Sequence, residues 1–208
     1  MPDNWPALIL GLILGTYWAR VLRLAIKARR RTGQLGNLLP RETTGRVLRV
    51  IWYPTVVGWI VVPFVAARWR PAPLLNYLYT IPWLAWVGVA IAFAALCATW
   101  ICWKRMGKSW RMGIDPAEKT QLVVTGPYAY VRHPIYALSS LLMLASVVVV
   151  PTIAMIVVAI IHLVLLQWEA RREEAHMLAQ HGASYADYRA RVGRFLPKSL
   201  RAYTAAAT

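Results

Sequence analysis

Five apolar runs, each bounded by basic or proline-rich punctuation, leave this chain few ways to fold. They cover Trp5 to Ala25, Val50 to Ala67, Ile81 to Trp103, Tyr136 to Val150 and Thr152 to Trp168. A helix needs about 20 predominantly apolar residues to cross the roughly 30 Å hydrocarbon layer, where irregular backbone cannot satisfy its own polar groups. The first three runs have that reach. The last two lie near the lower limit of about 17 residues and are separated by Pro151, which predicts a tight helical hairpin. Hydrophobic residues make up 59% of the 208, with 11 Trp, well above the norm for a soluble domain. The expectation is an all-α membrane protein with about five transmembrane helices. Pro54, Gly58 and Pro63 within the second run predict a kinked helix, tolerated because neighbouring helices can satisfy the freed carbonyls.

Charge placement tests this scheme independently. Of the 24 Lys and Arg residues, nine fall in 20–49, six in 104–132 and seven in 171–201, against two in 68–70 and none at the Pro151 hairpin. Twenty-two therefore share one side, which the positive-inside rule makes cytoplasmic, with the N-terminus outside and the C-terminus inside. The expected location is a multi-pass position in a bacterial inner membrane. The basic residues follow the first run rather than precede it, so that run is expected to be retained rather than cleaved as a signal peptide. A net charge of +16 could suit nucleic acid, but basic blocks set between apolar runs match anionic lipid headgroups instead. Cys97 and Cys102 share one apolar run, so neither a disulfide framework nor a metal pair is indicated, and both are expected to be packing residues. Lys27 to Arg49, with its glycines and Pro40, reads as a loop or surface segment.

Between the third and fourth runs lies Leu122 to Tyr136, LVVTGPYAYVRHPIY. Gly126-Pro127 marks a turn, and Pro134 biases His133 away from the α region, which predicts a helix starting at Pro134 with His133 at its mouth. Free N–H groups and the positive dipole end there favour an anionic or electron-rich ligand, while Tyr128, Tyr130 and Tyr136 offer flat faces and hydroxyls. The same residues would also suit an interfacial aromatic belt with Arg132 reaching lipid phosphates. After the fifth run, Glu169 to Leu178 contains no helix breaker and reads as a helix continuing out of the bilayer to Gly182. A second short helix follows, carrying Tyr185, Tyr188 and Val192 at helical spacing. Glu169 and Glu173 share a face of this extension, as do Arg172 and His176. An ordinary solvated tail held by ion pairs would show the same pattern. His162, inside the fifth run, fits an interhelical hydrogen bond or a place along a substrate tunnel.

Three features in order, Gly-x-Tyr-x-x-x-Arg-His-Pro-x-Tyr, the Glu173-Glu174 pair, and the Gly182, Tyr185, Tyr188 spacing ending in Phe195-Leu196-Pro197, resemble the isoprenylcysteine carboxyl methyltransferase family and its phospholipid methyltransferase relatives. The resemblance covers about 120–197 and divides the chain into three N-terminal spans over 1–119 and a methyltransferase region over 120–201. It implies an integral membrane enzyme that uses S-adenosylmethionine, lies outside the soluble Rossmann-type methyltransferases, and binds its cofactor at the cytoplasmic face. Carried over by position, Thr120, Gln121, Leu122, Val123, Tyr128, His133, Pro134, Ile135 and Tyr136 would line the cofactor pocket, with Glu174 or Glu173 closing it. Arg132, His133, Glu169 and Glu173 are the candidate catalytic residues. Successive residues on a helix point about 100° apart, so Glu174 is assigned to the cofactor and the Glu169/Glu173 face to the acceptor or to structure.

One departure bears on the acceptor. The prenyl-substrate enzymes carry an arginine about one turn before the glutamate pair, where this chain has Glu169, so the resemblance leaves the acceptor open among carboxylate, amine and thiol. A hydrophobic or lipid-like molecule is expected, because a site at the bilayer surface admits amphiphiles laterally. Methyl transfer asks the protein for alignment and water exclusion rather than a nucleophile or a metal. Two alternatives stand beside it: a membrane reductase using a nicotinamide cofactor, and a non-catalytic lipid-binding protein.

Overall fold

The computed structural model describes residues 4–32, 43–69, 72–110 and 121–204. Five helices are built from them: α1 Trp5–Thr32, α2 Thr43–Arg68, α3 Pro82–Met106, α4 Pro134–Val149 and α5 Ile153–Arg191. Short 3-10 turns occupy Pro73–Leu75, Gly107–Ser109 and Gly126–Ala129. The fold is an all-α membrane protein. Four helices are long and apolar enough to cross a membrane; α4, at 16 residues, is apolar but shorter than a full span.

The segment from Lys27 to Arg49, expected as a loop, is helical at both of its ends. α1 runs on to Thr32 and α2 already begins at Thr43, while 33–42 lie outside the described residues. Lys and Arg are good helix formers whose long stems extend a span beyond the bilayer core, so a basic block need not end a helix. α2 is one continuous helix that keeps Pro54 and Pro63, the residues expected to kink it, in its interior. Both cysteines sit on α3 as expected, but only Cys102 is packed inside; Cys97 faces outward.

Lipid tails are as apolar as Leu, so helix association depends on close packing and interhelical hydrogen bonds rather than on expulsion of water. Leu10, Leu14, Trp59, Ala92, Leu142, Met143 and Met155 form one buried cluster to which all five helices contribute. The α3–α4 contact is tight at Gly88, where a Cβ would come within 2.6 Å of Val149 Cγ2. Trp59 Nε1 donates to Ser146 Oγ at 2.9 Å, joining α2 to α4 in the core. Bonds of this kind are worth about 0.6 kcal/mol on average within a bilayer, and they fix rotation as much as they stabilise. His162 is also placed as a hydrogen-bonding residue, with its Nε2 3.0 Å from Ser139 Oγ and its ring 4.6 Å from that of Trp59.

The ends of the bundle differ in chemistry. At one, Tyr77 bridges Thr152 and Leu78 N donates to Pro151 O at 2.8 Å, so the α2–α3 connection and the Pro151 hairpin meet. The opposite end gathers the basic termini of α1, α2 and α3, the mouth of α4 and the polar half of α5. Beyond Trp168, α5 leaves its apolar part and continues to Gly182, whose φ of 51° breaks the helix where sequence predicted a cap. The short helix that follows buries Tyr185 and Tyr188 and ends at Val192.

Candidate active site

His133 is the N-cap of α4, as Pro134 predicted, in a non-helical conformation (φ −122°, ψ 63°). Its placement depends on the chain's C-terminal strap. Arg132 N donates to Gly193 O at 2.8 Å and His133 N to Arg194 O at 3.0 Å, and Tyr203 N donates to Ala129 O at 3.0 Å. The strap turns tightly at Gly193, where a Cβ would lie 1.8 Å from Leu196 O. Tyr188 Oη closes the layer by donating to Tyr128 O at 2.6 Å. The aromatic spacing read from sequence is thus the packing that holds the strap and the Gly-Pro turn together.

Two carboxylates meet this mouth from α5, and adjacency makes them do different things. Glu174 is 3% exposed and accepts Arg132 Nη2 at 2.7 Å, Arg194 Nη2 at 2.7 Å and Arg194 Nε at 2.9 Å. Burial alone would push its carboxyl up; the neighbouring His133, with Arg194 and Arg132, outweighs burial and holds it well below the usual 4.5. Arg132 Nε also donates to Glu174, at 3.2 Å, and its Nη1 donates to the carbonyls of Arg189 and Val192. Glu174 thus engages Arg132 and Arg194, while its neighbour Glu173 is the carboxylate that borders the adjoining cavity.

Glu173 faces the other way. Its Oε1 accepts Tyr136 Oη at 2.6 Å, and its Oε2 lies 3.5 Å from His133 Nδ1. The His133 and Tyr136 rings are stacked, 5.4 Å apart and 6° from parallel, and Phe195 of the strap meets His133 edge-on. His133 Nε2 is buried without a hydrogen-bond partner, 3.4 Å from Glu174. Glu169, one turn nearer the apolar part of α5, accepts Arg172 Nη1 at 2.5 Å and lies 3.7 Å from Arg49 of α2.

Arg132, His133, Tyr136 and Glu173 border a cavity of about 160 Å³. Its wall also takes in the expected residues Gln121, Leu122, Val123, Tyr128 and Ile135, with Met177, Tyr185 and Tyr188 from α5. Pro134 supports α4 from a buried position, and Thr120 lies outside the described residues. The rest of the wall includes Tyr17, Trp18 and Val21 of α1 and Arg49 and Trp52 of α2, with Trp103 of α3 and Leu166 of α5. No motif pointed to these. Their signal was confined to aromatic residues and an arginine near the basic end of apolar runs, which is also what interfacial anchoring produces.

The phospholipid methyltransferase family model matches residues 83–184. Over this region the chain is similar to that family. The match takes in α3, α4, the mouth at His133 and the Glu173-Glu174 pair, and it favours the methyltransferase reading over the reductase and non-catalytic alternatives. The nickel-cobalt-cadmium resistance protein NccN of Alcaligenes xylosoxydans xylosoxydans is 24% identical over 114 residues, 54% of this chain and 53% of its own length. The chain thus spans about half the length of that relative. Four long apolar helices fit a multi-pass membrane protein, and the family match points to the methyltransferase class. The α1 and α2 wall of its cavity lies outside the family-matched residues.

Proposed function

We propose that the protein is an S-adenosylmethionine-dependent methyltransferase acting on a lipid-like acceptor at the cytoplasmic membrane face. The observation that carries this is the cavity wall itself, which sets a carboxylate, an imidazole and several tyrosine faces together at the end of a membrane bundle. A sulfonium suits aromatic faces and a nearby carboxylate, which the stacked His133 and Tyr136 rings and Glu173 provide. Gln121 to Val123, Tyr128, His133, Tyr136 and Glu173 would hold the cofactor, while Glu174 acts by fixing Arg132, Arg194 and the strap. S-adenosylmethionine supplies an electrophilic methyl carbon when bound.

The residues of the chain provide orientation and a place for the acceptor's proton. Tyr136 Oη holds Glu173 Oε1, leaving Oε2 on the His133 side, so the carboxylate is fixed where an amine or thiol acceptor could lose a proton to it. Trp18, Trp52 and Trp103 exclude water from the cavity and match the hydrocarbon of an amphiphile. The grouping of basic blocks at the site's end of the bundle supports a cytoplasmic placement, with the N-terminus outside.

Calorimetric titration of the purified protein in detergent tests the cofactor directly. Wild type should bind S-adenosylmethionine, and Glu173→Gln should bind it about ten- to a hundredfold more weakly through loss of a charge-assisted contact. Wild-type protein that is folded and takes up no S-adenosylmethionine overturns the reading.

A further inference from the structure

Two polar contacts between helices look alike but differ in their hydrogen count. Trp59 Nε1 donates to Ser146 Oγ, and Ser146 passes its own hydrogen back to Leu142 O at 2.8 Å, so every hydrogen is used. The second contact joins α1, α4 and α5: His162 Nε2 lies 3.0 Å from Ser139 Oγ, and Tyr17 Oη hydrogen-bonds to Ser139. His162, Ser139 and Tyr17 are all buried, at 1%, 3% and 4% exposure, and Tyr17 and Ser139 border the cavity. Polar side chains at this depth in a membrane bundle are costly and point to a role beyond packing.

The hydrogens decide what this chain of groups can do. His162 Nδ1 has no hydrogen-bond partner among the described residues. A neutral imidazole carries one hydrogen, and stranding a buried N–H costs more than leaving a lone pair unmet, so the hydrogen sits on Nε2 and points to Ser139 Oγ. Ser139, unlike Ser140 and Ser146, does not return its hydrogen to a carbonyl of its own helix among the described residues, and passes it to Tyr17 Oη. The hydroxyl hydrogen of Tyr17 is left over, at the cavity wall.

We propose that Tyr17, backed by Ser139 and His162, is a hydrogen-bond-donating subsite for a neutral oxygen, carbonyl, ether or hydroxyl, within the apolar part of the methyl acceptor. This rests on the methyltransferase reading and adds to it a second polar group that the acceptor carries. A neutral oxygen suits the setting: the Tyr17 ring lies 5.1–6.4 Å from those of Trp18, Trp59 and Trp103, and the three linked groups include no cation to offset the desolvation of an anion. On α4 the residues bordering the cavity run from His133 through Ile135 and Tyr136 to Ser139. Ser139 is three residues, about 4.5 Å, beyond Tyr136, which holds Glu173. The acceptor's neutral oxygen is thus just under one helical turn deeper in the bundle than the group that meets Glu173.

The test uses the full chain in non-ionic detergent, with methyl decyl ketone and dodecane as probes that differ by one carbonyl. Thermal stabilisation of wild type should be saturable, with the ketone binding about five- to tenfold more tightly than the alkane. Tyr17→Phe keeps the ring among its tryptophans and removes only the donor, so it should bring the two probes to equal affinity; Ser139→Ala should narrow the gap. A purely interhelical role for these residues would lower the melting temperature of the variants and leave the ratio of the two affinities unchanged. In isotope-edited infrared spectra, the carbonyl band of the bound ketone should lie at lower frequency in wild type than in Tyr17→Phe, because an accepted hydrogen bond weakens the C=O stretch. Wild type that binds both probes equally or neither, or an affinity ratio and carbonyl band unchanged in folded Tyr17→Phe, would each overturn the proposal. S-adenosylmethionine affinity, measured separately by calorimetry, should be the same in Tyr17→Phe as in wild type. Failure of wild type to bind S-adenosylmethionine would instead remove the methyltransferase reading, leaving the ketone preference to stand or fall by itself.

Discussion

Glu174→Gln separates a strut from a ligand contact. In the wild-type fold the carboxylate neutralises Arg132 and Arg194 at 2.7 Å each and is 3% exposed, so the substitution leaves two guanidinium groups around a neutral amide. Breaking a buried ion pair by removing one partner costs on the order of 3–5 kcal/mol. For a chain of this size each kcal/mol shifts Tm by roughly 2–4 °C, so a fall of about 6–20 °C is expected at pH 7, read by tryptophan fluorescence in detergent. The pH dependence has a definite sign. The folded carboxyl lies below its ordinary 4.5, so its contribution is fully present above about pH 4.5 and is lost as pH falls below that value. Wild type should therefore show an acid limb below pH 4.5 that Glu174→Gln lacks. A Glu174→Gln protein that melts with wild type at pH 7, with a large loss of S-adenosylmethionine affinity instead, would refute the strut assignment.

Gly193→Ala should loosen the strap, because its Cβ would collide with Leu196 O; trypsin should cleave after Arg194 or Lys198 at least several-fold faster, and equal cleavage rates would show that the turn relaxes freely. Cysteines introduced at Asn4 and Ala72 should react with an impermeant reagent outside intact cells, and cysteines at Thr43 and Ala202 should not. Outside labelling at Ala202 would contradict the charge-based orientation.

Much of the fold was legible because its determinants are local and strong. Apolar length marked all five helices, Pro134 placed the start of α4 and the mouth at His133, and Gly182 placed the break in α5. The ends of α1 and α2 were misread because a Lys- and Arg-rich segment has the composition of a surface loop and the propensity of a helix. The roles of Glu173 and Glu174 depended on helix rotation. Sequence shows that adjacent residues diverge, but not which one meets the arginines of a distant strap. Glu174 meets Arg194, some 20 positions away, through a contact no periodicity encodes. Arg49 and the tryptophans of α1 and α2 were hidden for another reason: cavity walls and lipid anchors draw on the same residue types at the same depth.

The central claim is methyl transfer to a lipid-like acceptor, and the most direct measurement follows the methyl group. Purified protein is incubated with methyl-labelled S-adenosylmethionine and a total lipid extract, and the products are separated and identified. Label should enter a lipid-like product, and Glu173→Gln should reduce that incorporation at least tenfold. Folded wild-type protein that binds the cofactor yet leaves every lipid fraction unlabelled would contradict the claim.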